Sequence, residues 1–465
     1  MKTGFFLLRA GALLIAAGCT SDGTGLVHEP APEIAGSAAS AGNHNVLSAT
    51  VSVNVIHAES VAVRYRLTDD AEAQITPAVM PADGSATVPV LGLLPDREYL
   101  LEAVAFGSTR VASGSVLPFT TGSLPDDLPS YAVAGDDPTP GFVVMAAGPY
   151  GLAIDNAGRV VWYRRFDSGP GLNFQAQPTG RYTALQPAAA PDAPAGWIEV
   201  DPLGAAVRVF TCARGLQPRF HDLLSEPDGS YWLLCDETRT MDLSGVGGLP
   251  GARVTGTIIQ RVGATGALLF EWSVFDHFQI ADLHPDELAL PSINWTHGNA
   301  LDLDYDGNLL VSFRNLSEIT KIDVRTGAVL WRMGGVRNQF LFHDTPLPPF
   351  TRQHSVRATT PGSVLLLDNL GDPAGTQAEW YAYDAAARTT RLIASYRSNA
   401  SVIAQVGGTA QRLPRGRTLV SFGNGAHVAE YDDSGTEVWR IVNPGYVFRA
   451  QRIQSLYAPG VGSAR

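Results

Sequence analysis

Apolar and polar residues alternate along most of the chain. From Ala49 the run "ATVSVNVI", and from Ser60 the run "SVAVRYRL", place them at successive positions. That period of two belongs to a strand with one buried face. "GLLPDREYLLEAVAF" and "SVLPFTTG" continue it. From about Tyr131 a longer repeat begins. One half is an acidic or polar turn with Gly, then an apolar strand that often carries Trp. Its copies are "IDNAGRVVWY", "VDPLGAAVRVF", "RVGATGALLFEW", "IDVRTGAVLWRM", "YDDSGTEVWRI" and the degenerate "YDAAARTTRLI". The other half is a Gly turn between two strands: "PTGRYTAL", "PDGSYWLL", "YDGNLLVSF", "TPGSVLLL" and "PRGRTLVSF".

The repeat averages roughly 50–60 residues, the length of a propeller blade of about four strands. One such sheet cannot bury both faces, so the units are expected to stack radially. The pattern predicts an all-β protein with a six-bladed β-propeller over residues 130–458. A small fibronectin/Ig-like β-sandwich over 45–122 precedes it. Pro95 followed by Tyr99 resembles the corner turn of such sandwiches. The sandwich carries no visible chemistry, and a spacer or dimerisation role is expected of it. Residues 20–44 are small and polar and read as a flexible tether.

Hydrophobic residues make up 45% of the 465, enough for a sizeable core. The net charge of −12 argues against a nucleic-acid partner, which selects for a basic surface. Lys2 and Arg9 precede a short apolar run that ends Ala16-Ala17-Gly18-Cys19. This is the pattern of a lipoprotein signal over residues 1–19. It predicts a lipid on Cys19 as the membrane attachment. Thr20, in place of Asp, favours the periplasmic side of a bacterial outer membrane. Cys212 and Cys235 remain, and an oxidising envelope leaves their pairing open.

Three histidines begin or precede inner strands of consecutive repeats: His221, His297 and His354. Each is followed eight to ten residues later by a Gly turn. Arg314 returns from the His297 hairpin. Asn299, two residues after His297, is placed on the same strand face. Three imidazoles alone would suit zinc or iron. A permanent cation beside them suits anion transfer better, with Arg for the oxyanion, one neutral His as nucleophile and another as acid or base. No metal or other cofactor is expected. The spacing of Asp302, Asp304, Asp306 and Gly307 imitates a calcium loop. Its twelfth position is Phe313 rather than Glu, and strands flank it, so a hairpin turn with exposed aspartates is expected. His277 and His284 lie in an insertion that reads as surface.

"FEWSVFDHF", "NWTHGNALDLDYDGNLLVSFRNLSEITKID", "TGAVLWRMGG", "TRQHSV", "LLLDNLG" and "QRLPRGRTLVSFG" stand in the order seen in bacterial arylsulfotransferases. The chain resembles that family over nearly the whole repeat region. The resemblance implies sulfuryl transfer from an aryl sulfate to a phenol without a nucleotide donor, through a sulfohistidine. By motif it assigns the nucleophile to His354, and the surrounding polar site to His221, His297, Asn299 and Arg314. Arg314-Asn315 departs from the Arg-His common in the family. Trp295, Phe313 and Phe350 are candidates for an aryl-binding mouth, or else for core packing. Two other readings compete: a metal-dependent propeller with the three histidines as ligands, and a non-catalytic envelope binding propeller.

Overall fold

The computed structural model describes residues 30–167, 173–187, 195–345, 347–371, 375–398 and 402–458. Strand accounts for 53% and helix for 6%, so the chain is all-β. The expected signal, Cys19 and the first part of the expected tether lie outside the described residues.

The N-terminal part holds two facing sheets. Glu33–Ala41, Ser48–Ile56 and Ser85–Leu91 form one; Gln74–Ile75, Ser60–Leu67, Glu98–Phe106 and Val111–Thr120 form the other. Alternate residues of both sheets, among them Val51, Val53, Val61, Val63, Val88, Leu101 and Ala103, bury a common core. The Tyr99 hydroxyl accepts a hydrogen bond from Leu94 N–H at 2.8 Å. The expected tether is corrected here. Glu33–Ala41 is an edge strand antiparallel to Ser48–Ile56. Its small residues let it lie flat on its neighbour, so a composition typical of a linker concealed a strand.

Six further sheets follow among the described residues, each of four or five strands and antiparallel except for short parallel strands at Ser292–Asn294 and Leu341–Phe342. The strands at one end of each sheet, in chain order, are Phe174–Ala176, Gln217–Ser225, Gly298–Leu303, His354–Thr360 and Thr409–Arg412, with Ala450–Ile453 closing the set. Ala450–Ile453 pairs with Phe142–Ala147 and thus completes the sheet nearest the N-terminus. This explains why five Gly-turn halves accompany six copies of the other half. Ala132–Gly135 in turn adds an outer strand to the last sheet. The two ends of the repeat region are therefore laced into each other's sheets, and the arrangement is a propeller-like ring.

Side-chain oxygens tie the inner strands together. Gln177 Oε1 accepts from Ser225 N–H (3.0 Å), Asp222 Oδ2 from Leu301 N–H (3.1 Å) and Asp302 Oδ2 from Ala358 N–H (2.9 Å). Gln411 Oε1 accepts from Arg452 N–H (2.7 Å), and Gln451 Oε1 from Ala176 N–H (2.9 Å). Farther out, the indole N–H of Trp162, Trp272 and Trp439 donates to the turn carbonyls of Pro202, Gly327 and Asn156 in the next sheet. The recurrent Trp of the sequence repeat is thus a bond between sheets.

The aspartates of the calcium-like loop are corrected as well. Asp302 is one of these ties. Asp304 is buried and accepts from Lys321 Nζ at 2.5 Å and from the Tyr383 hydroxyl at 2.7 Å. Lys321 also pairs with Asp306 at 2.7 Å. Lys321, one of the chain's two lysines, thus neutralises both aspartates. Cys212 and Cys235 form a disulfide. It joins the end of one sheet to the second strand of the next.

Lys321→Ala would strip Asp304 of its buried counter-charge. Loss of one member of such a pair costs about 3–5 kcal/mol. Denaturant titration should show a loss of that size, unrelieved by calcium. Restoration of stability by calcium would instead revive the metal-loop reading.

Candidate active site

His221, His297 and His354 meet at one end of the ring axis. His297 Nε2 lies 3.1 Å from His221 Nε2, and the His221 and His354 ring centres are 6.4 Å apart. His221 and His354 stand at breaks in strand register, and a third break follows just after His297. The breaks fall between Pro218 and Leu223, between Gly298 and Ala300, and between His354 and Arg357. Bulges of this kind re-aim side chains. Three residues here, His297, Arg352 and Ser355, have positive φ of 51°, 57° and 60°. Such non-glycine residues cost roughly 1–3 kcal/mol each and collect at functional sites.

His354 is the most constrained. Its Nδ1 faces Asn369 Oδ1 at 2.7 Å, and its Nε2 faces Gly407 N–H at 3.4 Å. The Asn369 amide nitrogen donates to Ala404 O (2.9 Å) and Gly407 O (3.0 Å). Burial, helped by the Arg314 and Arg449 charges, holds the His354 pKa down to about 4 against the opposing hydrogen bond that the ring donates to Asn369. Burial pushes His297 to about 2, with Arg219 and Arg314 adding to it, and pushes His221 well below the usual range. All three rings are neutral at pH 7. His297 Nδ1 takes the Asn294 Nδ2 contact at 2.7 Å, which leaves the proton on Nε2 for His221.

Arg314 reaches Asn315 Oδ1 (3.0 Å) and Gln405 O (3.2 Å), while its Nε is buried without a partner. Arg352 donates to the same Asn315 oxygen at 2.8 Å and pairs with Glu287. Asn315 Nδ2 then holds Asn294 O at 2.6 Å. Asn315, the departure from the family pattern, therefore ties the two guanidinium groups to the residue that orients His297. Behind the histidines lies a buried Arg357–Asp222–Arg449 cluster, with ion-pair distances of 2.8 and 3.1 Å. It lines a central cavity of about 360 Å³.

Asn299 is buried and donates to Gln353 O at 2.7 Å, while its Oδ1 has no partner. The shared strand face expected for Asn299 and His297 is not observed, because His297 precedes the strand and a bulge intervenes. Trp295, Phe313 and Phe350 are buried in the core clusters, so core packing is their role. The aromatic neighbours of the histidines are Phe220, stacked on His221 at 4.0 Å, and Phe448, edge-on to His221 and His354. Phe448 also lines a cavity of about 550 Å³ with Tyr131 and Tyr446. His277 stacks on Trp272 and His284 caps a short helix. Phe220, Phe448, Asn369, Arg352 and Arg449 escaped sequence reasoning. Of these, Asn369 and Arg352 had left a signal, inside "LLLDNLG" and "TRQHSV".

Such a site is a pocket of neutral imidazoles under unpaired positive charge, suited to moving an anionic group. Among the described residues, no group of three or more His, Cys, Asp or Glu side chains is arranged to hold a metal ion. Residues 218–444 match the family described as "Arylsulfotransferase (ASST)", and this part of the chain, with all three histidines, belongs to the arylsulfotransferase family. No curated protein matches the sequence. Among solved structures, a protein of unknown function from Bacteroides caccae is 14% identical with a TM-score of 0.44, over 68% of this chain and all of that one. A virginiamycin B lyase from Staphylococcus aureus is 9% identical with a TM-score of 0.34, over 76% of this chain and 93% of that one.

The low pKa values set a pH dependence of stability. An imidazole kept neutral in the fold takes up a proton on unfolding, so the unfolded chain binds more protons below its value of 6.5. Stability is complete above that pH and falls as pH drops toward about 4 for His354 and further for His297. The melting temperature should therefore fall on acidification from pH 7 to 5. His297→Gln should flatten that fall; an unchanged slope would contradict the assignment.

Proposed function

We propose that the protein is an aryl-sulfate:phenol sulfotransferase that works without a nucleotide sulfate donor. In this reading the six sheets are the six blades of a β-propeller, preceded by a fibronectin/Ig-like sandwich. The protein sits lipid-anchored at the periplasmic side of the outer membrane. The observation that carries the reading is the neutral His354 imidazole, with a lone pair on Nε2, beside a guanidinium that has no carboxylate partner among the described ion pairs.

The donor's sulfate oxygens lie against Arg314. A sulfate monoester carries one negative charge, so Arg and N–H donors suffice where phosphoryl transfer recruits Mg²⁺. The bound anion also offsets the cationic field on His221 and His297, and that pair takes up a proton. The Nε2 lone pair of His354 attacks sulfur as the sulfur–oxygen bond to the aryl group breaks. The aryl oxygen leaves with the bonding electrons and receives the proton held by the His221–His297 pair. The acceptor phenol then attacks sulfur, the N–S bond breaks, and the phenol's proton returns to that pair. Phe220, Phe448 and Tyr446 flank the place for the aryl rings.

Initial rates with a chromogenic aryl sulfate and a phenol should give parallel double-reciprocal lines, and donor alone a burst of about one phenol per chain. His354→Ala should abolish the burst. His221→Gln or His297→Gln should slow transfer by about 10²–10⁴, the range for a positioned acid or base. Arg314→Ala should be at least as severe and Arg314→Lys a partial rescue, since Lys lacks the planar fork. Intersecting lines without a burst would sink the covalent route.

A further inference from the structure

A neutral imidazole can carry its lone pair on either nitrogen, and the partner of one nitrogen decides which. The choice for His354 is made by Asn369, a fully buried residue of the strand Ser363–Gly371. The two ends of a carboxamide differ: the nitrogen only donates and the oxygen only accepts. Here the nitrogen is held by two acceptors, Ala404 O at 2.9 Å and Gly407 O at 3.0 Å. The oxygen must then be the atom 2.7 Å from His354 Nδ1. The Nδ1 therefore bears the hydrogen, and the lone pair stands on Nε2.

We propose that Asn369 is the positioning residue of the nucleophile: it selects the Nδ1–H form of His354 and keeps that hydrogen on the ring while Nε2 carries the transferred group. The inference rests on the sulfuryl-transfer reading for the second of these roles only. When Nε2 bonds to sulfur, the ring becomes an imidazolium beside a sulfonate. A carboxylate at this place would draw the Nδ1 proton away and leave a neutral ring, a poorer leaving group in the second half-reaction. An amide oxygen stabilises the positive ring by its dipole without removing the proton. The same amide braces the turn at residues 404–407, whose Gly407 N–H faces Nε2 and whose Gln405 O receives Arg314. The nucleophile, the turn and the guanidinium thus share one anchor.

The hydrogen position is directly measurable. In the full chain labelled with ¹⁵N-histidine, long-range proton–nitrogen correlation at pH 7 distinguishes the two ring nitrogens. The His354 signals are assigned by their loss in His354→Gln. The expected pattern is a protonated Nδ1 and an unprotonated Nε2, the minority form for a free histidine. A wild-type His354 with its hydrogen on Nε2, or on both nitrogens, overturns the proposal whatever any variant does. Asn369→Leu should lose the enforced form and cut the burst rate constant by about 10²–10⁴. Retention of both the Nδ1–H form and the wild-type rate in that variant also overturns it. A wild type that gives the expected nitrogen pattern but no burst would instead count against the sulfuryl reading, so the two failures are told apart.

Discussion

An inner strand in a ring of sheets has one edge with no strand beside it, and each backbone N–H on that edge needs an acceptor. At five seams a carboxylate or carboxamide oxygen supplies it: Gln177, Asp222, Asp302, Gln411 and Gln451. At the remaining seam no such oxygen is among the described bonds, and the Gly407 N–H there faces the nucleophilic nitrogen of His354 at 3.4 Å. The same ties fix the sheets in height relative to one another. Without that alignment, histidines from three different sheets would not converge. Asp222 links the two demands, since it closes a seam and also holds Arg357 and Arg449 beneath the histidines.

The site stores an electrostatic imbalance. Arg219, Arg352, Arg357 and Arg449 each have a carboxylate partner, at Asp236, Glu287 and, for the last two, Asp222. Arg314 has two neutral oxygens instead. Its field, together with burial, keeps the three imidazoles unprotonated and so available as lone-pair donors. A substrate anion supplies the charge that the protein lacks. Binding and activation of the His221–His297 pair are therefore one event.

The sequence carried the parts of this account that depend on periodicity and on residue type. Strand alternation, the Gly turns and the Trp positions predicted the sheets, because each reflects a local backbone or packing demand. The repeat position of His221, His297 and His354 predicted their convergence. Features set by tertiary geometry were not visible. The bulges that aim the histidines leave no local mark. Asp302 and Asp304 read as turn residues because their partners, Ala358 and Lys321, lie across the fold. Trp295, Phe313 and Phe350 could not be told from site aromatics until burial was known. Asn369 stood in a quoted motif, but its role depends on two carbonyls some 35–38 residues away in sequence. The strand Glu33–Ala41 was hidden by its Gly, Ala and Ser composition.

The central claim is that His354 Nε2 forms the bond to sulfur. The most direct measurement is intact-mass and peptide-level mass spectrometry after exposure to an aryl-sulfate donor with no acceptor present. The account predicts one added sulfuryl group per chain, located on His354 and discharged by a phenol. A turning-over enzyme whose adduct lies on another residue, or that forms no adduct, would contradict it.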